Sequence, residues 1–187
     1  MKKGKLIVIS GPSGVGKGTI REKLTFNNYV FSISSTTRKK RTGEKDGVHY
    51  HFITKAQFQA KIQNNEMLEY AEFVDNLYGT DKNEVMKQIN QGNNVLLEIE
   101  CQGALQVIAK EQDLLSIFIV PPSLTALEER LISRGTEDSI KIKNRLQKAE
   151  EEMKLMDKYQ HIIVNDNIDH AVSELDKLLF ERVANEV

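Results

Sequence analysis

The 187-residue chain has no tryptophan, one cysteine, three prolines and no long hydrophobic run, and each shortage removes a class of answer. A lone thiol, Cys101, can neither close an intrachain disulfide nor build a cysteine-rich metal site; this fits a reducing compartment and makes the cytoplasm the expected location. The scarcity of proline leaves no Pro/Gly-rich linker, and no repeat or low-complexity tract is visible. The opening MKKGKLIVIS places basic residues before an apolar run, but the run covers only residues 6–9 and leads into Gly11-Pro12, so it is expected to be a buried strand rather than a targeting segment. No stretch approaches the roughly 18 apolar residues of a membrane-crossing helix, so no membrane partner is expected. Neither sign of charge dominates: 26 Lys plus Arg against 27 Asp plus Glu give a net charge of −1. No overall basic field draws in nucleic acid, and any anion site must be local.

What is present suits one compact domain with a substantial core. Apolar runs at 6–9, 95–99, 116–120 and 162–164, the last three each followed by helical spacing or caps, predict a parallel sheet between helix layers, an α/β fold. Helices are expected from Asp81 to Gly92, from Ser123 to just before Gly135, and from near Asp169 to the C-terminus. Two stretches break the alternation. Residues 31–80 mix strand-like FSISS, VHYHFI and MLEYAEFV with one short helix that Thr54 and Gln57 cap as a box. Residues 123–157 are rich in charge and carry Ile142, Leu146, Ala149, Met153 and Met156 at helical spacing. That narrow apolar stripe is expected to pack on the chain's own core, with a coiled-coil seam or partner face as the alternative.

The most informative segment is Gly11-Pro12-Ser13-Gly14-Val15-Gly16-Lys17-Gly18-Thr19, between the first apolar run and a helix through Ile20 and Leu24. Glycines let backbone N–H groups turn inward around a phosphate, the following helix adds its dipole, and Lys17 supplies a mobile positive charge. Strand, glycines, lysine and helix together satisfy the requirements of a phosphate loop. Gly18 stands where the pattern asks for a hydroxyl to ligate Mg²⁺, and the hydroxyl is displaced to Thr19. The metal is therefore expected to be held mainly by nucleotide oxygens, water and an acid, with Glu98 and Glu100 at the end of the 95–99 run as candidates, directly or through water. The acceptor must be read elsewhere. Ser34 to Arg41 sets hydroxyls beside Arg38 and Arg41, and arginine forks suit a monophosphate. His49 and His51 are expected to be strand residues rather than metal ligands, and Cys101 a small buried side chain.

These segments resemble the guanylate kinase family: GPSGVGKGT, SSTTRKKRTGEKDGVHY, EYAEFVDNLYGT, LLEIECQG, RLISRGTE and IIVNDN follow in order from about residue 5 to 170. The resemblance implies a three-layer phosphate-loop core (1–32, 84–122 and 158–187), a β-rich insertion binding the nucleoside monophosphate (33–83) and a helical lid (123–157). It implies transfer of the γ-phosphate of ATP to GMP, and to dGMP, with Mg²⁺ as cofactor. Arg38, Arg41, Tyr50 and Tyr78 would hold the GMP phosphate, and Ser34, Glu69 and Thr80 the base, with Glu100 near the metal or GMP where the family commonly has Asp. Guanine suits Glu69: a carboxylate only accepts, and guanine offers two donors at N1 and its amine where adenine offers an acceptor. Arg130 and Arg145 would stabilise the transferring phosphate beside Lys17 and Arg38; Arg134 and Asn165 would meet ATP. A non-catalytic module of the same fold that binds proteins, and a kinase of another small phosphorylated acceptor, are the alternatives.

Overall fold

The computed structural model describes residues 3–73, 75–133 and 139–184. Nine strands are ordered along the chain as β1 (Leu6–Ser10), β2 (Val30–Phe31), β3 (Ser35–Thr36), β4 (His51–Phe52), β5 (Met67–Phe73), β6 (Asn76–Asp81), β7 (Val95–Glu98), β8 (Leu114–Val120) and β9 (His161–Val164) among the described residues. Between and after them come helices α1 (Lys17–Lys23), α2 (Lys55–Gln63), α3 (Lys82–Asn90), α4 (Cys101–Lys110), α5 (Leu124–Ser133), α6 (Ser139–Met153) and α7 (Ile168–Leu179).

The four apolar runs are β1, β7, β8 and β9, and they join β2 in a five-stranded sheet of order β2-β7-β1-β8-β9. Val30 lies opposite Val95 and Ile117 opposite His161, both in parallel register. All residues of β1 and β8 are buried, which is why these strands read as continuous apolar runs rather than as alternation. A second sheet, β4-β3-β6-β5, is built on an antiparallel β5–β6 pair, with β3 antiparallel to β6 and parallel to β4. The α/β class expected from the sequence is the class found.

The chain divides into two compact units. The first comprises 1–7, 29–97 and 102–114. It holds the second sheet, α2 and α3, with α3 packed on β5 and β6 and Phe58, Leu68 and Val85 buried. Its helix starts are fixed by side chains: Thr54 and Gln57 form the reciprocal box at α2, and Asp81 accepts from the N–H groups of Asn83 and Glu84 at α3. Of VHYHFI only His51–Phe52 pairs as a strand, because the chain before it is turned: Gly47 has φ 71° and His49 N–H donates to Lys45 O at 3.1 Å. His49 therefore lies in a turn, with Nδ1 accepting from Lys45 N–H at 3.0 Å.

The second unit comprises 8–28, 98–101 and 115–187. Here α1 packs on α7 and α5 on α6. Leu127 and Leu131 of α5 bury Ile142 and Ala149 of α6, flanked by Leu124 and Leu146, so this part of the stripe packs internally, whereas Met156 lies in a turn beyond the end of α6 and is exposed. Each buried leucine or isoleucine in this cluster contributes about 1.5–3 kcal/mol, and Ala149 less. Asp176 of α7 anchors the segment after α1, accepting from Thr25 N–H at 3.0 Å, Thr25 Oγ1 at 2.8 Å and Phe26 N–H at 2.8 Å. Among the described residues no helix is long and apolar enough to cross a membrane.

Candidate functional site

In the second unit the carboxyl ends of β1, β7 and β9 carry the chemistry, where parallel α/β sheets place ligands. After Ser10, whose hydroxyl donates to Ile99 O at 2.9 Å, the loop passes through Gly11, Gly14 and Gly16 at φ 144°, 91° and 100°. Two of these positions exclude any side chain on space as well: a Cβ at Gly11 would overlap the Ile119 carbonyl oxygen, and one at Gly16 would stand 2.7 Å from Asn165 Nδ2. Lys17 opens α1 and folds its ammonium back over the loop, donating to Gly11 O at 2.6 Å and Pro12 O at 3.2 Å. Pro12 and Val15 are buried, Ser13 is half-buried and Thr19 is exposed on the helix.

Asn165, directly after β9, is only 4% exposed. Its Nδ2 donates to Val15 O at 2.7 Å and pins the loop, while its Oδ1 is buried with no hydrogen-bond partner among the described residues. An orphaned acceptor beside a phosphate loop is a position for a donor such as an exocyclic amine. The cap of α7 is Asn167, two residues on, so Asn165 is not spent on starting the helix. Arg130 Nη2 donates to Asn165 O at 2.8 Å and Asp166 O at 3.3 Å, which ties α5 to the same segment.

The two acids proposed for the metal differ in surroundings. Glu98 accepts from Arg21 Nε at 3.0 Å, and its Oε1 lies 3.6 Å from where a Cβ on Gly18 would be. Glu100 is bridged by Lys148 Nζ at 3.5 Å, and the same ammonium lies 3.4 Å from buried Glu152, whose carboxyl burial pushes up. Among the described residues no group of three metal-ligating side chains converges. A Mg²⁺ ion that takes most ligands from phosphates and water fits this donor set, with Glu98 facing the space that Gly18 leaves. Arg145 is half-buried on α6, and Arg134 lies outside the described residues.

In the first unit Arg38 lies across two aromatic rings, its guanidinium carbon 5.5 Å from the Tyr50 ring centre and 5.7 Å from that of Phe52. Tyr50 and Tyr78 meet edge to face at 5.9 Å. Arg38, Tyr50 and Tyr78 thus gather in one cluster. Glu44, to which the sequence reading gave no role, completes it: Arg38 grips it through Nη1 at 3.0 Å and Nη2 at 2.7 Å, and Arg41 N–H donates to it at 2.7 Å. The Arg38 guanidinium and the Arg41 amide hold the Glu44 carboxyl down at about 2. The only sequence signal was its place three residues after Arg41, which a solvated acid would share.

Glu69 and Thr80 face each other across the β5–β6 pair, and Thr80 Oγ1 donates to Glu69 Oε1 at 2.7 Å. The β3–β6 register sets Ser35 opposite Gly79, and Ser34 directly precedes that pair in the chain. Glu69 is 4% exposed, and burial raises its carboxyl to about 7 against the opposing pull of Thr80 and Lys110. When ionised, a buried carboxylate with one oxygen held by a hydroxyl can accept from paired donors.

The family model for guanylate kinase matches residues 3–182. The guanylate kinase of Latilactobacillus sakei is 48% identical over 180 residues, covering 95% of this chain and 89% of that one. That of Mycoplasma capricolum is 50% identical over 96% of this chain, which spans 61% of the longer relative. Among solved structures, the guanylate kinase of Anaplasma phagocytophilum superposes with a TM-score of 0.77 at 31% identity, covering 98% of this chain and 88% of that one.

Proposed function

The chain belongs to the guanylate kinase family, and from that premise we propose that it transfers the γ-phosphate of ATP to GMP, giving ADP and GDP for purine nucleotide recycling, and accepts dGMP as well. The observation that carries the acceptor assignment is Glu69, a carboxylate buried in the second sheet with Thr80 on one oxygen. Ionised, it accepts from guanine N1–H and the exocyclic amine; against adenine it would face an acceptor, at a cost of several kcal/mol or on the order of a thousandfold in kcat/KM. Ser34 and Thr80 complete the base contact.

Phosphoryl transfer asks the protein for positioning and charge neutralisation rather than covalent steps. Arg38, Tyr50 and Tyr78, with Arg41, hold the acceptor phosphate; Glu44 preorganises the Arg38 fork so that little rotamer freedom is lost on binding. The loop from Gly11 to Thr19 wraps the donor phosphates, and Lys17 exchanges its two carbonyl partners for phosphate oxygens. Arg130, Arg134 and Arg145 supply further positive charge from the lid stretch 123–157, and Asn165 Oδ1 accepts from the adenine amine. Mg²⁺ would neutralise phosphate charge at the Gly18–Glu98 face, with Glu100 outside it. The insertion 33–83 serves as the acceptor-binding part of the molecule. Water-soluble nucleotide substrates and a single thiol support a cytoplasmic location.

A coupled ADP-release assay with ATP and Mg²⁺ against GMP, dGMP, AMP, UMP, CMP and no acceptor tests this reading. Release with GMP and dGMP alone is expected. Equal release with AMP would overturn the role of Glu69, and failure of every acceptor to give ADP release would leave a protein-binding module.

A further inference from the structure

Gly103, Gln106 and Lys110 recur along α4 at i, i+3 and i+7 and therefore share one helix face. Each engages a different one of three consecutive residues of β5, the strand at one edge of the second sheet. Lys110 Nζ donates to Leu68 O at 3.1 Å. Gln106 binds the main chain of Tyr70 in both directions, Nε2 donating to Tyr70 O at 2.7 Å and Oε1 accepting from Tyr70 N–H at 3.3 Å. Its amide thus stands in for a neighbouring strand that an edge position lacks. Between these two contacts, the bare Cα of Gly103 lies against Glu69: a Cβ there would overlap Oε2 and come within 2.8 Å of Cδ. Thr80 holds the other carboxylate oxygen at 2.7 Å.

We propose that Gly103, Gln106 and Lys110 are positioning residues that set base selectivity by fixing where the Glu69 carboxylate stands and how readily it ionises, an addition that rests on the base-reading role given to Glu69 above. Gly103 fixes the place. Because Thr80 occupies the opposite side, a methyl group at 103 can be accommodated only by moving the carboxylate that must meet two guanine donors at hydrogen-bond distance. Gln106 fixes the strand on which Glu69 is carried. Lys110 supplies the charge: β6 offers Thr80 and α4 offers Lys110, and among the described residues it is this ammonium that draws the buried carboxyl down towards ionisation at neutral pH.

The test is KM and kcat for GMP, and KM for ATP, between pH 6 and 9 in wild type, Gly103→Ala, Gln106→Ala, Lys110→Met and Lys110→Arg. Gly103→Ala is expected to raise KM for GMP by tenfold or more while KM for ATP stays within twofold. Lys110→Met is expected to move the pH at which KM for GMP begins to climb upwards, and Lys110→Arg to restore it; the titration of GMP's own phosphate is common to all variants and cancels. Lys110 is exposed, so its variants decide the matter even where Gly103→Ala does not fold. Unchanged KM in Gly103→Ala together with an unchanged midpoint in Lys110→Met would overturn the proposal. A titration of the Glu69 carboxyl carbon by NMR in the free protein separates this proposal from the guanine reading: a wild type inert towards GMP sinks that reading, whereas an identical Glu69 titration in wild type and Lys110→Met sinks this one.

Discussion

Replacing Glu69 by Gln should make the protein more stable and less selective, and the stability gain should depend on pH in a defined direction. In the folded chain burial raises the Glu69 carboxyl from 4.5 to about 7. Between those two values the native state holds a proton that the unfolded chain has released, so stability falls as pH rises through this window. Above it the full penalty of keeping a carboxylate buried applies. A separation of about 2.5 pH units at ~1.4 kcal/mol per unit gives about 3 kcal/mol at pH 8, against under about 0.5 kcal/mol at pH 4. Gln keeps the size and retains an oxygen for the Thr80 hydroxyl but carries no charge, so it removes the penalty without opening a cavity. Urea unfolding of wild type and Glu69→Gln at pH 4 and pH 8 measures the difference directly, with matched m-values confirming that the same surface is exposed. The variant should gain about 3 kcal/mol at pH 8 and almost nothing at pH 4, while its kcat/KM for GMP drops by roughly a hundredfold or more. A gain of equal size at both pH values, or none at pH 8, would refute the argument that burial of this carboxylate is the strained element of the acceptor site.

Three other outcomes follow from the same geometry. Lys17→Met should lower turnover by two or more powers of ten, read in steady-state kinetics, while the thermal transition is retained, because its ammonium contacts only loop carbonyls in the free protein. Asn165→Ala removes the bond that pins Val15 and the orphaned acceptor beside it; KM for ATP should rise by about tenfold with a stability loss near 1 kcal/mol by denaturant unfolding. Asp176→Ala leaves the buried N–H of Phe26 without its partner, frees that of exposed Thr25 to water, and should cost about 1–3 kcal/mol in the same measurement, with KM for GMP unchanged.

What was legible in the sequence was local. The phosphate loop, the three buried strands β1, β7 and β8, the box at Thr54 and Gln57 and the cap at Asp81 each depend on residues within a few positions of one another, so their chemistry is written in spacing; β9 shares the apolar run but exposes Ile162 and Val164. The apolar stripe at Ile142, Leu146 and Ala149 was legible as packing, although its partner α5 was not. Strand β6 escaped because NLYGTD alternates weakly and takes its place from pairing with β5 and β3. The contacts missed around the candidate site act across the fold: the bond from Asn165, itself named from the sequence, to Val15 spans 150 positions, and that from Gln106 to Tyr70 spans 36. Glu44 was near enough in sequence but indistinguishable from a solvated acid until Arg38 was seen gripping it with two nitrogens. Glu69 lies on an edge strand whose composition gives no hint of burial; the helix α4 that covers it comes more than thirty residues later.

The claim that a buried carboxylate reads two guanine donors is tested most directly by kcat/KM for GMP and IMP side by side, since IMP keeps N1–H and lacks only the amine. One unmade charge-assisted bond in this pocket predicts GMP to be preferred by roughly a hundredfold. Equal kcat/KM for the two would contradict the account.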